Sequence, residues 1–428
     1  MKQPEKIAII GLGYVGLPLA LLAAEKGYEV IGVDREKTKV ELINKGVSPI
    51  KDEHLDEAFS RNSIHASTNP GEINDCDVVL VCVPTPVKNG IEPDLSPLLG
   101  AVEEVAAHMK KDALLIIEST INPGVCDELI IPKLSGLGLE AEKDYHIAHC
   151  PERINPGDLK WSVRNINRVV GSNSNEGLSR AVSFYKNILE AEIKPMANIK
   201  EAEAVKVVEN SFRDVNIAFV NELAMSFQRM DINIENVIDG AATKPFAFMP
   251  HRPGVGVGGH CIPVDPYYLI EYARSYGFEH DFLRLARRIN SGMPEYTVER
   301  LQAGLNQAEL PVKGTKIALL GLSYKANVDD DRESPSYEVQ ELLHKLGANV
   351  VTYDPYILHN SSSSSLNEAL DGAQAVILAT AHDEFISIPP KKLSKNGVKV
   401  FIDGRNSVRD LKEDMRSANI VYSGIGIN

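Results

Sequence analysis

The sequence predicts an α/β protein with two doubly wound halves joined by a long central helix and a helical middle, and three observations carry that reading. The chain opens with KIAIIGLGYVGLPLA and then EVIGVD: an apolar strand, a glycine-rich turn, a helix and a second strand closed by Asp34. A weaker echo, KIALLGLSYKA followed by ANVVTYDP, returns near residue 316, with Gly321 and Asp354 at the matching strand ends. Between them, residues 199 to about 230 contain no proline and carry Val205, Val208, Phe212, Val215, Phe219 and Leu223 at three- and four-residue spacing, the period of a helix.

Taken in order, apolar β-type runs near 6–11, 29–33, 78–83 and 113–117 alternate with helical patterns, which implies a parallel sheet with crossover helices. The first turn has the order a Rossmann-like dinucleotide site needs. Gly11 serves the tight turn, Gly13 the close approach of backbone to pyrophosphate, Gly16 the packing of helix on strand, and Asp34 the ribose hydroxyls. An aspartate at position 34, where an arginine would accommodate a 2′-phosphate, favours NAD over NADP. The echo lacks the second and third glycines, so 313–428 is expected to be a Rossmann-like domain recruited to another ligand. The expected segments are 1–198, 199–305 and 306–428. SSSSS at 361–365 reads as a solvated loop or short linker without function.

A chain of 428 residues is too long for one ordinary core and suits two or three domains. A formal charge of −14 argues against a nucleic-acid surface, where basic patches are expected. Five cysteines make an odd number without a C-x-x-C pair, so neither a disulfide framework nor a zinc knuckle is suggested and no metal is expected. No signal peptide precedes the first strand and no apolar run is long enough to span a bilayer, so a reduced, cytoplasmic protein is expected.

The segment GVGVGGHCIPVDPYYL sets Cys261 between glycines and Asp265. Free cysteine is often a small buried apolar residue. Here Gly254, Gly256, Gly258 and Gly259 add no side-chain packing and cost backbone entropy, which suits a place where a ligand approaches the main chain closely. The thiolate is the nucleophilic form, favoured by cations or aligned backbone donors, and His260 and Asp265 flank it as polar partners.

Together GLGYVGLPLA, VPTP, EST, PERINPG, KVVENSFRDVNIAFVNELA, GVGGHCIPVDPYYL and SYKANVDDDRESPS resemble the UDP-glucose/GDP-mannose dehydrogenase family, in order from residue 6 to about 410. The likeness is to its UDP-N-acetylglucosamine/UDP-N-acetylmannosamine 6-dehydrogenase branch, because relatives acting on UDP-glucose usually carry a GGSCFPKD-like segment in place of GGHCIPVD. The resemblance implies an NAD-dependent, four-electron oxidation of the C6 hydroxyl of a UDP-N-acetylhexosamine to the uronic acid, for surface polysaccharide precursors. UDP-N-acetylglucosamine is the first expectation and UDP-N-acetylmannosamine the second.

The resemblance also implies the roles. Cys261 captures the aldehyde as a thiohemiacetal that becomes a thioester. Lys206 and Asn210, four residues apart on the long helix, share a face and offer a cation and an amide donor to a developing alkoxide. Glu152 activates water against the thioester, and Thr120 and Asp265 hold that water and the C6 oxygen. Tyr14, Val15, Arg35 and Lys39 join the glycines and Asp34 around the cofactor, with Pro84, Thr85, Ser119, Thr120 and Arg332. Glu152, Arg153, Lys206 and Asn210 are expected on the substrate, as are Arg252, Gly258, Tyr324 and Lys325, with the UDP portion in the C-terminal domain. A homodimer or larger homo-oligomer is expected from the long helix. Two other readings stay open: a UDP-glucose 6-dehydrogenase, and a catalytically inactive nucleotide-sugar-binding protein.

Overall fold

The computed structural model describes residues 6–50, 53–88, 92–154, 160–259 and 261–428. They form two compact units, Met1–Glu209 with Tyr267–Phe278, and Asn210–Pro266 with Glu279–Asn428.

The first unit is built on an eight-stranded sheet. Its spatial order is Ile193–Pro195, Arg168–Ser172, Tyr145–His149, Ala113–Ile117, Val78–Val81, Lys6–Ile10, Glu29–Val33, His65–Ser67. Its pairings are parallel except that Tyr145–His149 and Arg168–Ser172 run antiparallel, with Ala148 opposite Ser172. Val78–Val81 and Ala113–Ile117 are apolar at every position, as strands covered by helices on both faces are. Ile7 and Ile9 enter one core, Ala8 and Ile10 the other. Each such isoleucine withdrawn from water contributes about 1.5–3 kcal/mol. Strand order reverses between Lys6–Ile10 and Val78–Val81, the switch point at whose carboxyl ends ligands of open α/β sheets bind.

The second unit holds a five-stranded, all-parallel sheet in the order Asn349–Tyr353, Lys316–Leu320, Ala375–Leu378, Val400–Asp403, Val421–Gly424. Its switch point lies between Lys316–Leu320 and Ala375–Leu378. The echo in the sequence is an echo in hydrogen bonds. Gly11 N–H donates to Val33 O at 2.8 Å and Gly321 N–H to Tyr353 O at 2.9 Å. Both glycines have positive φ, 93° and 96°.

The helix Ile199–Arg229 runs for 31 residues without interruption, residues 199–209 in the first unit and 210–229 in the second. Its buried face mixes polar with apolar residues, Ala202, Val207, Ala218, Val220 and Ala224 being inside. Glu203, Lys206, Asn210, Asp214, Asn221 and Gln228 are buried, while Val208, Phe212 and Phe219 are 53, 50 and 53% exposed. The polar residues on that face are stable there because polar partners meet them. Arg287 Nη1 reaches Asp214 Oδ1 at 2.6 Å, and Asn221 Nδ2 donates to Asn290 Oδ1 at 2.9 Å.

The serine run 361–365 is a loop, as expected, with Ser362 and Ser364 exposed, and its hydroxyls are engaged. Ser361 Oγ accepts from Asp354 N–H at 2.9 Å, Ser362 Oγ from Thr352 N–H at 2.8 Å, and Ser365 Oγ caps the helix Leu366–Leu370. Hydroxyls this close to the backbone satisfy main-chain groups, as Ser commonly does in turns and N-caps.

Candidate active site

In the first unit, the turn after Lys6–Ile10 is shaped for a dinucleotide. A side chain at Gly16 would meet Gly11 O at 2.0 Å, and one at Gly11 would meet Cys82 O at 2.8 Å. At Gly13 nothing lies within 4 Å, so backbone there is open to a phosphate. Asp34 accepts from Leu12 N–H at 2.9 Å, Glu36 N–H at 3.0 Å and Lys39 Nζ at 3.0 Å. Burial works against its charge, but the Glu36 and Leu12 amides and Lys39 win and hold the carboxyl below its ordinary value. Tyr14 is exposed and Val15 half-buried in the same turn, and Arg35 reaches Glu104 at 3.0 Å.

Across the switch point, Ser119 Oγ donates to Val83 O and Thr85 Oγ1 to Thr120 O, both at 2.7 Å. These bonds tie the half-buried Thr120 to the segment carrying the exposed Pro84. The described geometry thus fits NAD at Gly11, Gly13, Gly16 and Asp34.

Glu152 follows the strand Tyr145–His149 and lies 3.7 Å from Lys206 Nζ, both largely buried. Burial raises the Glu152 carboxyl above its usual range, while Lys206 and then Arg168 pull it down. That is the setting of an acid shared between proton carrier and ion pair. Arg153 is spent elsewhere: its Nε donates to Glu209 at 3.1 Å and Nη1 to Asn167 O at 2.8 Å. Asn155, Pro156 and Gly157 of the PERINPG motif lie outside the described residues.

In the second unit, Asn221 Oδ1 accepts from Gly254 N–H at 3.0 Å where the cysteine loop begins, and Arg332 O accepts from Gly259 N–H at 3.0 Å near its end. A side chain at Gly258 would come within 2.7 Å of Tyr324 Cβ and 2.9 Å of Glu333 O, so only glycine lets the loop pass. Cys261 is half-buried, and its carbonyl accepts from Val264 N–H and Asp265 N–H at 3.1 and 2.8 Å, a turn that leads into the helix Asp265–Ser275. Asn210 Nδ2 donates to Asp265 Oδ2 at 2.5 Å, both buried. The pair joins the long helix to the cysteine segment. His260 lies outside the described residues.

Among the other expected contacts, Arg332 Nε and Nη2 are held by Asp330 at 2.8 and 2.6 Å. Tyr324 and Lys325 follow Lys316–Leu320 at the switch point and are half-buried. Arg252 is engaged by Glu235 and Asp239, carboxylates that also hold Arg409.

Sequence reasoning missed Arg405, just past Val400–Asp403. It donates from Nε to Ala379 O at 2.9 Å, and burial pulls its pKa down. Among the described residues no carboxylate pairs with it; its second neighbour is Tyr324 O, 3.5 Å from Nη2. The signal was present as an arginine directly after an apolar strand, in VFIDGR.

Open at the pyrophosphate position and closed by an acid at the ribose, the first unit reads as the cofactor half of a dehydrogenase. Comparison with known proteins gives the particular family. Residues 5–189 match the NAD binding domain of the UDP-glucose/GDP-mannose dehydrogenase family, 200–292 its central domain and 318–410 its UDP binding domain. The chain is 36% identical to a UDP-N-acetyl-D-mannosamine dehydrogenase of Pyrococcus horikoshii over 98% of its length and 99% of that protein. It is also 36% identical to a UDP-N-acetyl-D-glucosamine 6-dehydrogenase of Pseudomonas aeruginosa, over 96% and 99%. A solved structure of the UDP-D-ManNAc dehydrogenase from Pyrococcus horikoshii superposes with a TM-score of 0.91 at 36% identity, covering 98% and 99% of the two chains. The chain therefore belongs to the UDP-glucose/GDP-mannose dehydrogenase family, among its UDP-N-acetylhexosamine 6-dehydrogenases. It is an oxidoreductase with NAD as cofactor. Among the described residues no helix is long and apolar enough to cross a membrane.

Proposed function

We propose that this enzyme oxidises C6 of UDP-N-acetylglucosamine, or else of its manno epimer, to the uronic acid through a covalent Cys261 intermediate. The observation that carries the reading is the buried Asn210–Asp265 pair, which brings an amide donor and an acid to the segment that begins at Cys261. A binding protein has no use for a nucleophile so equipped.

NAD, when bound, supplies the hydride acceptor for both oxidations. The substrate's primary alcohol becomes an aldehyde, and the Cys261 thiolate adds to its carbon while the oxygen gains a proton. The resulting thiohemiacetal still carries one C–H bond, and its oxidation leaves a thioester. Water, deprotonated by Glu152, breaks the C–S bond and releases carboxylate and thiol. Each uronate thus consumes one water and reduces two NAD. Lys206 and Asn210 stabilise the oxygen charge in the tetrahedral stages, where one well-placed donor is worth about 3 kcal/mol. Thr120 and Asp265 orient the water and the C6 oxygen.

We assign Tyr324, Lys325 and Arg405 to the UDP phosphates and the Gly11–Asp34 turn to NAD, with functional segments 1–198, 199–305 and 306–428. The half-exposed stripe Val208, Phe212 and Phe219 supports a homodimer. Five free cysteines suit a reducing cytoplasm, where precursors of surface polysaccharides are made.

The test is NADH formation with UDP-N-acetylglucosamine, UDP-N-acetylmannosamine, UDP-N-acetylgalactosamine and UDP-glucose, for wild type and Cys261→Ser. The expected result is two NADH per uronate with an acetamido sugar, lost in the serine variant. Uronate release by Cys261→Ser at near wild-type rate would sink the covalent route. Turnover of UDP-glucose alone would correct the substrate.

A further inference from the structure

Glu203 lies on the helix Ile199–Arg229 three residues before Lys206 and is fully buried. Its two oxygens accept from different amides: Oε2 from Gly124 N–H at 2.5 Å and Oε1 from Cys126 N–H at 2.8 Å. Both donors sit where the Thr120 turn enters the helical segments Cys126–Ile130 and Ile131–Gly136. N-terminal amides of a helix lack acceptors within it, and a carboxylate there meets the positive end of the helix dipole.

The turn has little slack elsewhere. Thr120 O is held by Thr85 Oγ1 at 2.7 Å, and Gly124 adopts φ +91°, with Tyr272 Oη 2.4 Å and Glu128 Oε1 2.7 Å from where a side chain would start. Ile121, Val125 and Ile199 share one apolar cluster around it. Burial pushes the Glu203 carboxyl up to about 7, against the pull of the Cys126 and Gly124 amides. A neutral amide side chain would avoid that cost but has only one oxygen for two donors.

We propose that Glu203 is a positioning residue for the dehydrogenase reaction: by gripping the Gly124 and Cys126 amides it sets the Thr120 turn against Lys206 on its own helix. The inference rests on the reading above that Thr120 and Lys206 serve the oxidation.

Glu203→Gln tests it, because the variant keeps the shape and offers one acceptor and one donor to two N–H groups. The turnover number per folded active site should fall about ten-fold or more, while KM for NAD and for the UDP-sugar stays within about three-fold. Hydrogen exchange in residues 118–130 should quicken in parallel. Faster exchange with turnover within about two-fold of wild type would show a structural cap only, and unchanged exchange would show no grip at all. Either result overturns the proposal.

If the glutamine variant does not fold, Glu203→Asp carries the same test. It keeps both oxygens but withdraws them by one methylene, and should lose turnover without losing affinity. Aspartate turnover equal to wild type would overturn the proposal. Wild-type protein that forms no NADH with any UDP-sugar would fail the function reading itself, and this role with it. An active wild type beside an equally active Glu203→Gln would fail this role alone.

Discussion

The turns at 6–34 and 316–354 are built on the same bonds and hold their acids for different ends. In both, the first glycine donates to the end of the second strand. The acid accepts from the next amide, Leu12 at 2.9 Å or Leu322 at 2.7 Å, and then from the residue two beyond itself, Glu36 at 3.0 Å or Tyr356 at 2.8 Å. The halves differ in what stands over the acid. Asp34 meets Lys39 at its edge, whereas Asp354 is closed off by His382 Nε2 at 2.9 Å and Ser323 N–H at 2.8 Å, all three residues buried. Ser323 and Ala326 stand where the first half has Gly13 and Gly16. The acid at the strand end is thus a cap for its own turn first. Only the first half leaves the turn beside its acid open, at Gly13.

The sharpest way to break this comparison is Gly16→Val, whose Cβ would sit 2.0 Å from Gly11 O. NAD affinity should fall by about 100-fold or more, since helix and strand can no longer approach. Titration calorimetry that finds a loss under ten-fold would mean the turn can yield. Ala326→Gly in the other half should leave UDP-sugar affinity within about two-fold.

Next in size is Asp354→Asn. Burial opposes the Asp354 charge, but His382 and the Ser323 amide hold the carboxyl down to about 2, below the ordinary 3.8. The carboxylate therefore stabilises the fold fully above pH 3.8, and that contribution is lost as the pH falls toward 2. The shift corresponds to about 2 kcal/mol. Denaturant titration of the variant should show a loss of that size at pH 7 and a flatter acid limb. An unchanged midpoint would deny the cap.

Asp34→Asn should act on the cofactor. We expect KM for NAD to rise about ten-fold and the preference over NADP to narrow, because the carboxylate that repels a 2′-phosphate is gone. Steady-state rates with both cofactors check this, and an intact preference would mean that another residue reads the ribose.

The smallest effect is expected of Ser323→Gly, which restores a glycine at the position matching Gly13. It should cost under about 1 kcal/mol and create no second NAD site, since His382 still covers Asp354. A stoichiometry above one NAD per chain would show that the missing glycine alone had closed the second half.

Much of this was legible along the chain. The strand, glycine turn and helix at 6–25, the acid at 34, the echo at 316–354 and the length of the helix Ile199–Arg229 follow from local periodicity and turn chemistry. Helical spacing put Lys206 and Asn210 one turn apart, and four residues link Cys261 to Asp265. Tertiary structure alone decided what these residues meet. Asn210 finds Asp265 across 55 positions, Glu203 finds Cys126 across 77, and Arg252 is taken by Glu235 and Asp239. It also decided which face of the long helix is inside. Apolar spacing marks Val208, Phe212 and Phe219, yet the buried face sets Glu203, Asp214 and Asn221, which find partners, beside Val207, Val220 and Ala224. Periodicity reports where side chains point around a helix axis. Which direction is inward depends on the groups that distant segments bring against it, because a buried polar atom is stable only when it is paired.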